Sequence, residues 1–142
     1  MLYVDNGREI DGATKFQKLV FLAQQETDIG KPFEYRADKY GPFSPELHAT
    51  LDELEERNLI KKEVRTNRSG NEKHTYRLTD YGRRVLMEVK KKDDSEKFEG
   101  LLEDAHSIKR KYNSKTLDRI LNYVYSKYEE YTSESELEEY KR

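Results

Sequence analysis

The chain has 142 residues, the size of one domain, and with 34% hydrophobic and 39% charged residues its periodic apolar clusters exclude both simple disorder and a second independent core. The longest purely apolar run, Leu19 to Ala23, is far short of the ~20 residues of a membrane span, and no basic-then-apolar leader opens the chain, so a cytoplasmic location is expected. The formal net charge of −2 hides a partition: residues 59–92 hold 11 basic and 4 acidic side chains, net +7, between flanks of −5 and −4.

Leu2-Tyr3-Val4 followed by Asp5-Asn6-Gly7 reads as a short extended arm turning at Asn-Gly. Thr14 and Gln17 have the spacing of a capping box, and Phe16, Leu19, Val20 and Ala23 share a face that Phe21 and Leu22 widen, which predicts a well-buried helix from Thr14 to Gln25. After Gly30-Lys31-Pro32, Phe33-Glu34-Tyr35 alternates as a short strand, and Tyr40-Gly41-Pro42-Phe43 breaks the chain again. Ser44 is placed to cap a helix with Pro45 at its first position, and Leu47, Leu51 and Leu54 form its apolar stripe before it ends near Asn58.

Ile60 and Val64 with His74, Tyr76 and Leu78 mark two alternating strands, joined by the turn cluster Asn67-Arg68-Ser69-Gly70-Asn71. Thr79 can cap a further helix with Val85, Leu86 and Val89 as its stripe, and Gly82 permits close approach to a neighbour. Lys90-Lys91-Lys92 meets Asp93-Asp94 at an exposed hinge. Phe98, Leu101, Leu102, Ala105 and Ile108 are one helical face, and after Asn113-Ser114 the set Leu117, Ile120, Leu121, Val124, Tyr125 and Tyr128 is another. The tail from Thr132, rich in Glu and Ser, is expected to fray.

Little here supports catalysis. With no cysteine, the sequence holds no disulfide, thiolate nucleophile, zinc ribbon or iron–sulfur cluster, and His48, His74 and His106 are too dispersed for a metal-binding spacing. Ser44 and His48 stand at i, i+4, but Ser44 before Pro45 is a helix cap, and Gly41 and Gly70 lie in no phosphate loop. The expectation is a non-enzymatic protein without catalytic residues, metal or cofactor. His74 reads as a half-buried structural histidine, and the helical spacing of Tyr123, Tyr125, Tyr128 and Tyr131 favours core or dimer packing over a binding cage.

The order of buried helix, capped helix ending in Leu54-Glu55-Glu56-Arg57-Asn58-Leu59-Ile60, charged hairpin, and Tyr76-Arg77-Leu78-Thr79-Asp80-Tyr81-Gly82-Arg83-Arg84-Val85-Leu86 resembles the winged-helix module of PadR-like and MarR-like transcriptional regulators over about residues 44–89. The resemblance implies that the helix from Ser44 to Asn58 enters the major groove, that the hairpin is a wing, and that a C-terminal helical extension makes a dimer. Lys61, Lys62, Arg65, Arg68 and Lys73 would then supply the charge that holds duplex DNA, with His48, Thr50 and Arg57 as base readers. Two features depart from that pattern. No amphipathic helix is evident between the first two helices, and the outward surface of the candidate recognition helix carries Glu46, Asp52, Glu53 and Glu56, which repel phosphate.

A second resemblance joins Lys15-Phe16-Gln17-Lys18-Leu19-Val20-Phe21-Leu22-Ala23-Gln24 with Lys39-Tyr40-Gly41-Pro42-Phe43-Ser44-Pro45-Glu46, which look like the Panacea (SocA-like) antitoxin domain. It implies an alternative function, neutralising a toxin or other partner protein through Tyr40, Pro42, Phe43, Glu46 and Glu53. The expected fold is α+β and helix-dominated: a winged helix over residues 1–92 and a C-terminal helical hairpin over 93–142. The face formed by Leu117, Ile120, Leu121, Val124, Tyr125 and Tyr128 packs on the domain or mediates a homodimer.

Overall fold

A computed structural model describes residues 1–93 and 95–132. Its elements run β1 (Ile10–Asp11), α1 (Ala13–Glu26), β2 (Arg36–Asp38), β3 (Gly41–Phe43), α2 (Pro45–Glu56), β4 (Ile60–Thr66), β5 (Glu72–Leu78), α3 (Asp80–Lys92), α4 (Glu96–Tyr112) and α5 (Leu117–Lys127). Single 3₁₀ turns lie at Asp5–Gly7 and Glu129–Tyr131. The fold is α+β and helix-dominated, with the winged helix formed by α1, α2, the β4–β5 hairpin and α3.

Apolar residues almost all round α1 predict a central helix, and Phe16, Leu19, Phe21, Leu22 and Ala23 are buried. Phe21 is a hub, meeting Tyr35, Tyr128 and Tyr131 edge to face at centroid distances of 5.1, 5.1 and 4.9 Å. The buried polar residues of α1 have a common role. Lys15 donates to the carbonyl of Asn113, Gln17 to Ser44, Lys18 to Pro42 and Gln24 to Phe33, each at 3.0 Å. Gln17 and Gln24 also accept from the amides of Ser44 and Phe33. The helix thus satisfies the main chain of the irregular segments around it, which an apolar helix could not do.

That arrangement corrects the expected capping box. The helix begins at Ala13 after Gly12, whose φ of 95° suits glycine, and no side chain caps it; Gln17 faces Ser44 across the core instead of folding back. Gln17→Ala is expected to cost about 2–3 kcal/mol, because it leaves the buried amide of Ser44 without an acceptor and takes one of two donors from the Ser44 carbonyl, which keeps the amide of His48. Urea unfolding that shows a loss below about 1 kcal/mol would contradict this account.

The predicted strand at Phe33–Tyr35 lies three residues further on: Arg36, Ala37 and Asp38 pair with Phe43, Pro42 and Gly41. Residues 27–44 therefore hold a small hairpin and no helix, as the missing amphipathic pattern indicated. Ser44 caps α2, its Oγ accepting from the amide of Leu47 at 3.1 Å, and Asn58 leaves the helix with φ 61°.

β4 and β5, the two strands expected from the alternation, pair antiparallel with Ile60 opposite Leu78 and Val64 opposite His74. The expected free arm is instead part of the body. Leu2 and Val4 are buried, and Ile10 and Asp11 pair with Tyr76 and Thr75, giving a three-stranded sheet β1-β5-β4. Buried Lys109 of α4 donates to the carbonyls of Val4 at 3.0 Å and Arg8 at 2.5 Å; burial, moderated by Asp5, lowers its ammonium to about 8.

α4 and α5 each pack on α1. Ile108, Tyr112, Ile120, Val124 and Tyr128 join the same core as Phe16, Leu47 and Ile60, so the winged helix and the C-terminal hairpin share one interior. Of the two roles expected for the α5 face, packing on the domain is the one seen here: Ile120, Leu121, Val124, Tyr125 and Tyr128 are buried within their own chain, and of the set Leu117 alone is exposed. The spacing announced a face to be covered, and α1 covers it. Thr132 is the last described residue of the chain, and the expected frayed tail beyond it lies outside the described residues.

Candidate nucleic-acid interface

The β4–β5 hairpin sorts its residues by alternation. Ile60, Tyr76 and Leu78 face the core with Ile10, while Lys61, Glu63, Arg65, Lys73, Thr75 and Arg77 share the opposite face. The structure thus brings together Lys61, Arg65 and Lys73 of the predicted set and adds Arg77, which stands directly opposite Lys61. The alternation of β5 could have found Arg77. Lys62 lies on the other face, opposite Tyr76. Arg68 stands at the hairpin tip, in a turn fixed by Asn67, whose Oδ1 accepts from the amides of Ser69 at 3.0 Å and Asn71 at 2.9 Å.

This face is not purely basic. Glu63, only 24% exposed, lies 3.9 Å from Lys61, 3.2 Å from Arg65 and 2.8 Å from Arg77. The hydrogen bond from Arg65 and the charge of Arg77 hold its carboxyl below the usual carboxylate range. Lys73 pairs with Asp11 at 3.1 Å. Four cations thus share two carboxylates, which lowers the net field and holds the long side chains in fixed positions.

The three predicted readers on α2 are engaged within their own helix. Arg57 binds Glu53 at 2.8 Å, His48 lies 3.8 Å from Asp52, and the Thr50 hydroxyl donates to the carbonyl of Glu46 at 2.8 Å. A base edge would have to displace a carboxylate from two of them, and Glu46, Asp52 and Glu56 remain exposed on the same helix.

Not all of the residues expected to touch a protein partner are accessible. Pro42 is buried, its carbonyl taken by Lys18, while Tyr40 projects outward and Phe43 is half-buried against His48 at a centroid distance of 6.0 Å. Pro42 therefore cannot make such a contact. Lys18, Tyr40, Phe43 and His48 line a cleft of about 280 Å³, where burial, opposed by the charge of Asp38, lowers the Lys18 ammonium to about 8.

The tyrosines of the C-terminal part are structural, and their partner was not evident in the sequence. Glu26, at the end of α1, accepts from Tyr112 at 2.5 Å, from Tyr123, from Tyr128 at 2.9 Å and from Lys127 at 3.2 Å. Burial alone would raise its carboxyl, but these four donors overturn that and hold it down at about 2. Among the described residues, no three acidic or histidine side chains cluster as a metal site, and no helix is long and apolar enough to cross a membrane.

No curated protein and no solved structure matches the chain. The Panacea resemblance finds no support in these comparisons, and the toxin partner it implied has none either. Residues 22–88, from the middle of α1 through most of α3, match the transcriptional regulator PadR-like family, and this stretch of the chain is PadR-like.

Proposed function

We propose that the protein is a non-enzymatic, DNA-binding transcriptional regulator that holds the duplex backbone with its wing. The observation that carries this reading is the single face of Lys61, Arg65, Lys73 and Arg77, with Arg68 at the rigid tip, inside a stretch matching a family of transcriptional regulators. Backbone contacts of this kind give affinity and orientation but little sequence information. With the readers of α2 tied to its own carboxylates, the wing supplies most of the binding and α2 contributes weak discrimination.

The test is fluorescence-anisotropy titration of a generic duplex at several salt concentrations. Neutralising Arg65, Arg68 and Lys73 to alanine is expected to weaken binding and to flatten log K against log salt by about 0.9 for each phosphate no longer neutralised. Glu63→Gln is expected to do the opposite, because it releases Lys61, Arg65 and Arg77 from a competing carboxylate and strengthens binding several-fold at low salt. Absence of duplex binding by the wild type at low salt would overturn the reading.

A further inference from the structure

A second basic cluster lies where α4 turns into α5, outside the stretch that is PadR-like. Lys111 and Lys115 place their ammonium groups over the ring of Tyr112, each 5.2 Å from its centroid, and Arg119 follows in the first turns of α5. Together with Tyr123 and Ile120 these residues line an open cleft of about 250 Å³. Among the described residues none of Lys111, Lys115 and Arg119 forms an ion pair, in contrast to the wing, whose cations share Glu63 and Asp11. The facing acidic groups are few. Asp118 precedes Arg119 in α5, and Glu26 is engaged by its tyrosines and Lys127.

The geometry holds the cations ready. Tyr112 is buried and anchored through its hydroxyl on Glu26, so the ring beneath the two ammoniums is fixed. Cation–π contact then restrains the lysines without neutralising them. The α5 N-terminus, capped by Thr116, adds its partial positive charge.

The cluster is also tied to the wing side of the molecule. Lys73 pairs with Asp11 on β1, Lys15 stands one turn of α1 beyond and feels the charges of both, and Lys15 donates to the carbonyl of Asn113 inside the α4–α5 turn. The main chain at Glu9 accepts from the side chain of Asn113 at 3.1 Å, closing the same junction.

We propose that Lys111, Lys115 and Arg119 form a second phosphate-backbone contact for the same duplex that the wing holds. The inference rests on the DNA-binding reading above and lengthens its footprint. An open arc of cations spread over two helices fits the sugar-phosphate backbone of an extended polyanion better than a small enclosed anion.

The test compares four proteins by anisotropy on one generic duplex across salt concentrations: the wild type, the alanine variant of the wing, a Lys111→Gln/Lys115→Gln/Arg119→Gln variant, and a control with Lys31→Gln/Arg36→Gln/Lys97→Gln, which removes equal charge from exposed positions elsewhere. The turn variant is expected to lower affinity and to reduce the salt slope by about 2–3, at about 0.9 per phosphate, while the control changes far less. Circular dichroism and urea midpoints equal to wild type exclude a folding effect. A turn variant indistinguishable from the control, with the wing variant still impaired, overturns the inference and leaves the wing reading standing. A turn variant impaired while the wing variant is not overturns the wing reading and, with it, the inference of a second contact on a duplex the wing holds. A wild type that binds no duplex at all overturns both.

Discussion

Glu26→Ala is expected to destabilise the protein by about 4 kcal/mol, because one carboxylate serves four donors from α4, α5 and the residues that follow. Glu26 is only 12% exposed, so water does not replace the lost acceptor. Glu26→Gln keeps the shape and one acceptor oxygen but loses the charge, and about 2 kcal/mol is expected. The same site predicts a pH dependence. The folded carboxyl sits at about 2 and an unfolded one near 4.3, so the contribution is complete above about pH 5 and is lost as pH falls through that window toward 2. It amounts to about 3 kcal/mol. Urea unfolding of wild type and Glu26→Gln between pH 7 and pH 2.5 should show two stabilities that converge as acid is added. A constant difference across that range would show that the carboxylate charge does not hold the helices together.

Neither Glu26 nor its tyrosines could be paired from the sequence, and the reason is distance along the chain: the donors lie 86 to 102 residues away. The local features were readable because their causes are local. Ser44 before Pro45, Thr79 three residues before Gly82, and the Asn67–Asn71 turn each carry their own hydrogen-bond partner within a few residues, and each forms as expected. Alternation likewise marked β4 and β5 as strands with Ile60 and Tyr76 on their buried face, and the observed register keeps both there, since one shift would place them in water. Gln17 and Gln24 show the limit. Both sit in a good helical pattern, and nothing local distinguishes a glutamine that caps its own helix from one that grips the main chain of Ser44 or Phe33. The apolar face of α5 shows the same limit for packing, since periodicity states that a face will be covered and leaves its cover to the tertiary fold. At the candidate interface the charge partition marked the hairpin, while alternation would have sorted Lys62 off the basic face and added Arg77. Neither could reveal Glu63 as the shared counter-ion, because that depends on side chains converging across two strands.

Gly82→Ala is the second substitution expected to have a large effect, and it acts on how the wing is rooted. A Cβ at Gly82 would be driven into the carbonyl of Leu59, the residue that leads into β4. That carbonyl already accepts from the amide of Thr79 at 3.1 Å, and the Thr79 hydroxyl donates to the adjacent carbonyl of Asn58 at 2.7 Å while capping α3 by accepting from the Gly82 amide at 2.9 Å. The methyl group meets backbone, which cannot turn aside as a flexible side chain would, so α3 must move off the root of the hairpin and its cap is lost with it. Overpacking of about 1–3 kcal/mol and the loss of these bonds together give an expected cost of about 3–4 kcal/mol. Gly100, within α4, is the internal comparison. A Cβ there meets nothing within 4 Å, so Gly100→Ala is expected to stabilise by about 0.4–1 kcal/mol through the unfolded chain. Thermal unfolding of the two variants should therefore move in opposite directions, with faster amide exchange at Thr79, Gly82 and Arg83 in Gly82→Ala alone. Equal and small shifts in both would mean that α3 is free to rise from Leu59 without loss, and the wing would then be anchored chiefly through β5 and its pairing with β1.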